Sequence, residues 1–167
     1  MYLKRTGFTI VELLIVIVVI GILAAITVVA YNGIQQRARV ATSLSDLKHI
    51  NTAIQMYHAD HGSYPTTSGA WRGLQRDANY IPELVPKYMS ALPQSSAPTP
   101  PPGTPGTVPN STGYPAAYGY RSDGTDYKLM AHGDGLCPDV KKQQPALVSP
   151  FRDCWAYGYW SPGGAAF

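Results

Sequence analysis

Eighteen uncharged residues run without a break from Leu13 to Ala30, most of them aliphatic or β-branched. With Phe8 to Val11 the apolar stretch reaches the roughly 20 residues that cross a bilayer as a helix. Glu12 is the one charge inside it. A secretory signal core is shorter, about 7 to 15 residues, and ends at a small-residue cleavage site, whereas this stretch continues into more helix. Beyond it the pattern changes period. Val40, Leu44, Leu47, Ile50, Ile54 and Tyr57 recur at spacings of three and four, with Arg37, Arg39, Asp46, Lys48, Gln55 and His58 between them, which predicts an amphipathic helix. No proline interrupts the chain before Pro65, so one helix from about Thr9 to about His61 is expected, roughly 80 Å long at about 1.5 Å per residue. Gly62 is placed for a left-handed cap, and Pro65 follows at the usual distance for a stop.

The rest reads differently. After Gly62 the apolar anchors Trp71, Leu74, Tyr80, Ile81, Leu84, Val85, Tyr88 and Leu92 predict a loop and one short helix. Residues 95–112 form a Pro, Thr, Ser and Gly tract suited to polyproline II or irregular loop, not to a core. From Tyr114 the chain turns aromatic. Tyr118 to Met130 predicts two strands around a turn at Asp123-Gly124, and a third strand is expected near Trp155 to Trp160. An antiparallel sheet packed on the amphipathic half of the helix would cover both apolar faces. The expected class is therefore α+β: a membrane half of the helix at 8–30, an amphipathic half at 31–61 and a small head at 62–167, a stalk with a head.

Composition narrows the function. The chain has 167 residues, 13 Lys plus Arg against 10 Asp plus Glu, and 45% hydrophobic residues. That is one ordinary domain, too apolar for a disordered chain and without the basic excess of a dedicated nucleic-acid binder. Lys4 and Arg5 precede the apolar span, so the N-terminus is expected in the cytoplasm and the body outside it. No Ser/His/Asp elbow, phosphate-cradling glycine loop or paired-carboxylate motif is present, which argues against an enzyme, and no cofactor is implied. Cys137 and Cys154 are too few for a disulfide scaffold or a structural zinc site, leaving one bridge or two thiols. Outside the cytoplasm a bridge is expected, enclosing 16 residues and worth about 3 kcal/mol by loop entropy.

Glu12 asks for a partner. A carboxylate near the end of a lipid-embedded helix is costly unless it reaches the interface or a cation. The run Lys4-Arg-Thr-Gly7-Phe8-Thr-Ile-Val-Glu12-Leu-Leu-Ile-Val-Ile-Val-Val-Ile-Gly21 resembles the leader and membrane start of type IV pilins and of the pseudopilins of type II secretion. That resemblance implies a leader at 1–7, cleavage between Gly7 and Phe8 by a prepilin peptidase, and N-methylation of Phe8. It implies that Glu12, fifth in the mature chain, attracts the N-terminal ammonium of a neighbouring subunit at Phe8. Pairing would offset the desolvation of both charges and fix the axial register between helices. Removing Lys4 and Arg5 from 13 basic residues leaves 11 against 10 acidic ones, so net charge then says little about partners.

The reading this supports is a structural subunit of a type IV pilus, stored as a single-pass membrane precursor and polymerised through its N-terminal helix into a filament at the cell surface. Adhesion, twitching motility or DNA uptake would be the downstream roles. The alternatives are a pseudopilin of a type II secretion or competence system and a single-pass surface protein that never polymerises. Copies of itself, a prepilin peptidase, an assembly platform and a motor are the implied partners, with the membrane before assembly.

Smaller constellations add little. His58 and His61 lie three apart but lack a carboxylate or cysteine at ligand spacing, so no metal is expected there. Some secretion pseudopilins bind calcium in C-terminal loops, which draws attention to Asp123, Asp126, Asp134 and Asp139; Asp turns without a metal account for the same residues. Lys141, Lys142 and Arg152 near Trp155 and Tyr157 make a weak basic footprint for nucleic acid. Asn110-Ser-Thr112 matches the N-glycosylation acceptor pattern.

Overall fold

The computed structural model describes residues 9–73, 78–95, 117–150, 154 and 156–167. Along the chain run α1 (Ile10–His61), β1 (Ala117–Ser122), β2 (Tyr127–His132), α2 (Cys137–Gln143) and β3 (Ala156–Trp160), with 3-10 turns at Pro145–Leu147 and Gly163–Ala166. The chain falls into two compact units, 1–38 and 39–167, and α1 contributes to both.

In the first unit the described apolar side chains of α1 are exposed, from Ile10 at 84% through Leu13 at 63% to Ile26 at 63%. The window Ile10–Thr27 is long and apolar enough to cross a membrane, and none of it is buried within the chain. Its hydroxyl is silenced locally: Thr27 Oγ1 donates to the carbonyls of Leu23 and Ala24, both at 2.9 Å. In lipid, where water is absent, an internal acceptor of this kind is what a hydroxyl needs.

In the second unit α1 buries one stripe, Val40, Leu47, Ile50, Ala53, Ile54 and Tyr57, at the spacing the sequence predicts. The stripe meets a three-stranded antiparallel sheet in the order β1-β2-β3. Register puts Tyr118 opposite Ala131, Tyr120 opposite Leu129 and Ala131 opposite Tyr157, and these residues share one core with the helix stripe. Each strand also sends one tyrosine hydroxyl to α1. Tyr118 donates to Asp46 (2.8 Å), Tyr127 donates to Asn51 (2.6 Å), and the Tyr157 hydroxyl bonds Ser43 Oγ (2.8 Å). A rigid ring with a polar tip supplies both apolar area and a directional bond, and the three bonds fix the sheet against the helix.

Gly62 ends α1 at φ +72, its N–H donating to the His58 carbonyl at 2.8 Å, as predicted. The expected short helix within 62–95 is replaced, among the described residues, by turns. Pro82 and Pro86 lack N–H donors, and Glu83 between them stands at φ +61, which no right-handed helix accepts. Tyr80, Ile81, Leu84 and Leu92 still reach the core.

Candidate assembly site

The helix start is organised around two residues. Thr9 precedes α1, and its backbone N–H and hydroxyl both donate to Glu12 Oε2, at 2.8 and 2.7 Å. Glu12 N–H in turn donates to Thr9 Oγ1 at 3.2 Å. This reciprocal arrangement is the Thr-x-x-Glu capping box, which satisfies otherwise orphaned donors at a helix N-terminus. Glu12 is therefore held within its own chain, its carboxylate aimed back along the helix start where the positive end of the helix dipole favours it. Thr9 was readable in the sequence from the spacing to Glu12 alone, and the apolar run around it hid the signal. Gly7 and Phe8, the expected cleavage pair, lie outside the described residues, as do Asn110 and most of the 95–112 tract.

Away from the helix start, the remaining candidates are absorbed into the head. The expected Cys137–Cys154 bridge is not formed in the structure. Cys137 opens α2 and is buried as a small apolar side chain, while Cys154, at φ +54, packs half-buried against the same core. The rings of His58 and His61 serve as aromatic surfaces, stacked on Tyr64 and Tyr57 at centroid separations of 4.3 and 4.1 Å.

The four aspartates are committed to protein donors. Asp123 Oδ1 accepts from the Thr125 and Asp126 N–H groups, which hold its carboxyl below the usual carboxylate range. Asp126 Oδ1 accepts from the Ser161 hydroxyl and the Gly163 N–H. Asp134 Oδ1 takes the Leu136 N–H at the start of α2, and its Oδ2 takes the Tyr157 hydroxyl. Burial raises the Asp134 carboxyl above its ordinary value. Asp139 pairs with Lys142 at 3.4 Å. Tyr157 is fully buried, so it cannot flank a basic surface spot with Lys141 and Lys142; Arg152 and Trp155 lie outside the described residues.

Similarity to known proteins decides between the readings that the exposed helix leaves open. The family described as "Prokaryotic N-terminal methylation motif" matches residues 3–28, and the family described as "Type II secretion system (T2SS), protein G" matches residues 30–144, more than half of the chain. The chain belongs to the type II secretion system protein G family. It is 35% identical over 85 residues to the type II secretion system core protein G of Escherichia coli (strain K12), covering 51% of this chain and 58% of that protein. With the core protein G of Aeromonas hydrophila it shares 33% identity over 97 residues, covering 54% and 66%. With that of Vibrio cholerae serotype O1 it shares 38% over 64 residues, covering 38% and 44%. The chain thus spans less than two thirds of the length of these relatives. No solved structure matches it. Membership in this family favours a pseudopilin over the type IV pilus subunit that the N-terminal run suggests equally well.

Proposed function

We propose that this chain is a structural pseudopilin: a membrane-stored subunit that leaves the bilayer and packs with copies of itself into a pseudopilus of a type II secretion system. The observation that carries this reading is the match of residues 30–144 to the type II secretion protein G family, and the uninterrupted exposed apolar surface of Ile10–Thr27, with Glu12 the one charged side chain on it, fits it. Apolar surface on every side of a helix must be covered, by lipid before assembly and by neighbouring helices afterwards. The alternation between those two environments is what a subunit drawn from a membrane into a filament requires.

In this reading a prepilin peptidase cuts between Gly7 and Phe8 and the new N-terminus is methylated on Phe8, which keeps its positive charge. The capping box gives Glu12 a resting state. Its carboxylate stays hydrogen-bonded to Thr9 in the membrane, then exchanges that neutral partner for the ammonium of a neighbouring Phe8. An ammonium adds the attraction of a full positive charge to the hydrogen bond, which the Thr9 donors lack, so between apolar helices the exchange favours assembly. The body is placed beyond the cytoplasmic membrane, with the peptidase, an assembly platform and a motor as partners.

Replacing Glu12 with Ala tests this. Membrane insertion, read as resistance to alkaline extraction, should persist, while crosslinking between copies in sheared or detergent-extracted filaments should be lost. Normal filament crosslinking of Glu12→Ala would contradict the pairing mechanism.

A further inference from the structure

Past its apolar span α1 carries exposed side chains whose order along the axis the assembly role does not use. About 20 residues of helix cover the roughly 30 Å of hydrocarbon in a bilayer, so a span that starts at Ile10 is used up near Ala30. Tyr31 comes next, 64% exposed, a residue type that places its ring at the boundary between membrane and water. Arg37 and Arg39 follow, both exposed. Among the described residues neither guanidinium has a hydrogen-bond or ion-pair partner, and Asp46, the acidic residue nearest in sequence, accepts the Tyr118 hydroxyl.

Depth sorts these cations from the next one. At about 1.5 Å per residue the α-carbons of Arg37 and Arg39 lie about 10 and 13 Å beyond Ala30, and that of Lys48 about 27 Å. Long helical side chains lean toward the N-terminus over about one turn, roughly 5 Å, which carries the two guanidiniums back to about 5 and 8 Å from the hydrocarbon edge. The headgroup layer on each side of a bilayer is about 5 to 8 Å deep. Arg37 and Arg39 therefore reach the depth of the lipid phosphates, and Lys48 stands well beyond it. A Cβ at Gly33, one turn before Arg37, would meet nothing within 4 Å, so the approach on that side is open.

We propose that Arg37 and Arg39 form an outer anchor, each bound to the phosphate of an anionic phospholipid, which sets how deep the stored subunit sits before assembly. A guanidinium offers paired N–H donors to two phosphate oxygens, and anionic headgroups add an attraction that zwitterionic ones lack. The anchor rests on the membrane-stored reading above. Within that reading, loss of Lys4 and Arg5 with the leader leaves Arg37 and Arg39 as the cationic side chains closest to the bilayer.

Native mass spectrometry of the full chain, ejected with its bound lipids from vesicles of equal parts phosphatidylethanolamine and phosphatidylglycerol, tests the anchor. The wild type should retain phosphatidylglycerol over phosphatidylethanolamine by about fivefold for each arginine, a preference that shrinks in high salt. Arg37→Gln combined with Arg39→Gln should retain the two lipids equally, and Lys48→Gln should behave as the wild type. Both arginines are exposed, so the double variant leaves the buried stripe of α1 intact. A double variant that keeps the wild-type preference would overturn the anchor, and if it loses crosslinks between copies instead, the arginines face a second copy. An equal loss in Lys48→Gln would also overturn it, by showing a diffuse surface charge rather than two cations at phosphate depth. Alkaline extraction of the same vesicles separates the two claims. A wild type that is stripped off refutes the membrane-stored reading itself, whereas an inserted wild type without lipid preference refutes the anchor alone.

Discussion

The two parts of α1 use the same kinds of residue to opposite ends. Before residue 38 the large apolar side chains described are at least 47% exposed, and no described residue buries them; after it, Leu47 and Ile50 are completely buried while polar residues such as Lys48 and Thr52 face out. The second part is satisfied by its own sheet. The first has no such face, and in the proposed reading lipid or neighbouring copies supply it. The lesson is that apolar content alone does not say whether a helix belongs to a core or an assembly. The angular distribution around the helix does, since a stripe asks for one partner face and a full circumference asks for an environment.

That contrast can be broken most forcefully in the core. Ile50→Ala should cost about 4 kcal/mol of unfolding free energy in the 39–167 unit, whereas Ile17→Ala should leave denaturant unfolding of that unit unchanged within about 0.5 kcal/mol. Equal losses would mean that the apolar surface around Ile17 is part of the same folding unit.

Next in size is a pH effect confined to the self-sufficient part. Burial brings the His132 imidazole down from 6.5 to about 4. The native state then binds fewer protons than the unfolded one. The associated stability is complete above pH 6.5 and is lost as pH falls toward 4, up to about 3 kcal/mol. Asp134, raised by burial, has the opposite sign, its contribution present at low pH and fading as pH rises. Denaturant unfolding of wild type and His132→Met should therefore diverge in slope between pH 6.5 and 4, the variant losing less. Parallel curves would show that His132 titrates normally.

Smaller still is the tyrosine bond between helix and sheet. Tyr157→Phe removes the hydroxyl shared by Ser43 and Asp134 and should cost about 2 kcal/mol in the same unfolding measurement. The smallest effect belongs to the open part of the helix. Thr9→Val removes the Thr9 hydroxyl from the capping box and should destabilise the first turn by about 1 kcal/mol, seen as faster amide exchange at Leu13, with no change in the unfolding of residues 39–167.

The sequence made the long helix, its stop at Gly62 and all three strands legible, because periods of three to four and of two follow directly from helix and strand geometry. It left α2 hidden. Seven residues beginning Cys-Pro-Asp are too few for a period to emerge, and what stabilises the turn there, the Asp134 carboxylate on the Leu136 N–H, comes from outside the element. The aromatic run of the strands was readable as core, but the partners of the tyrosine hydroxyls were not, since Ser43, Asp46 and Asn51 are more than 70 residues distant. At the candidate site Glu12 stood out as a lone charge, while Thr9, an unremarkable residue type in an apolar run, carries half of the geometry. The contacts of Lys128 with Ala165 and Phe167 were hidden for the same reason as the hydroxyl bonds: they form only after β2 and β3 have paired.

Mass spectrometry of the N-terminal peptide, from the membrane fraction and from filaments sheared or extracted from cells producing the full chain, tests the central claim most directly. A pseudopilin that is processed and polymerised should yield a species beginning with N-methylated Phe8 in both fractions. A chain still beginning at Met1 in every fraction would contradict the account and leave a membrane-anchored protein that does not assemble.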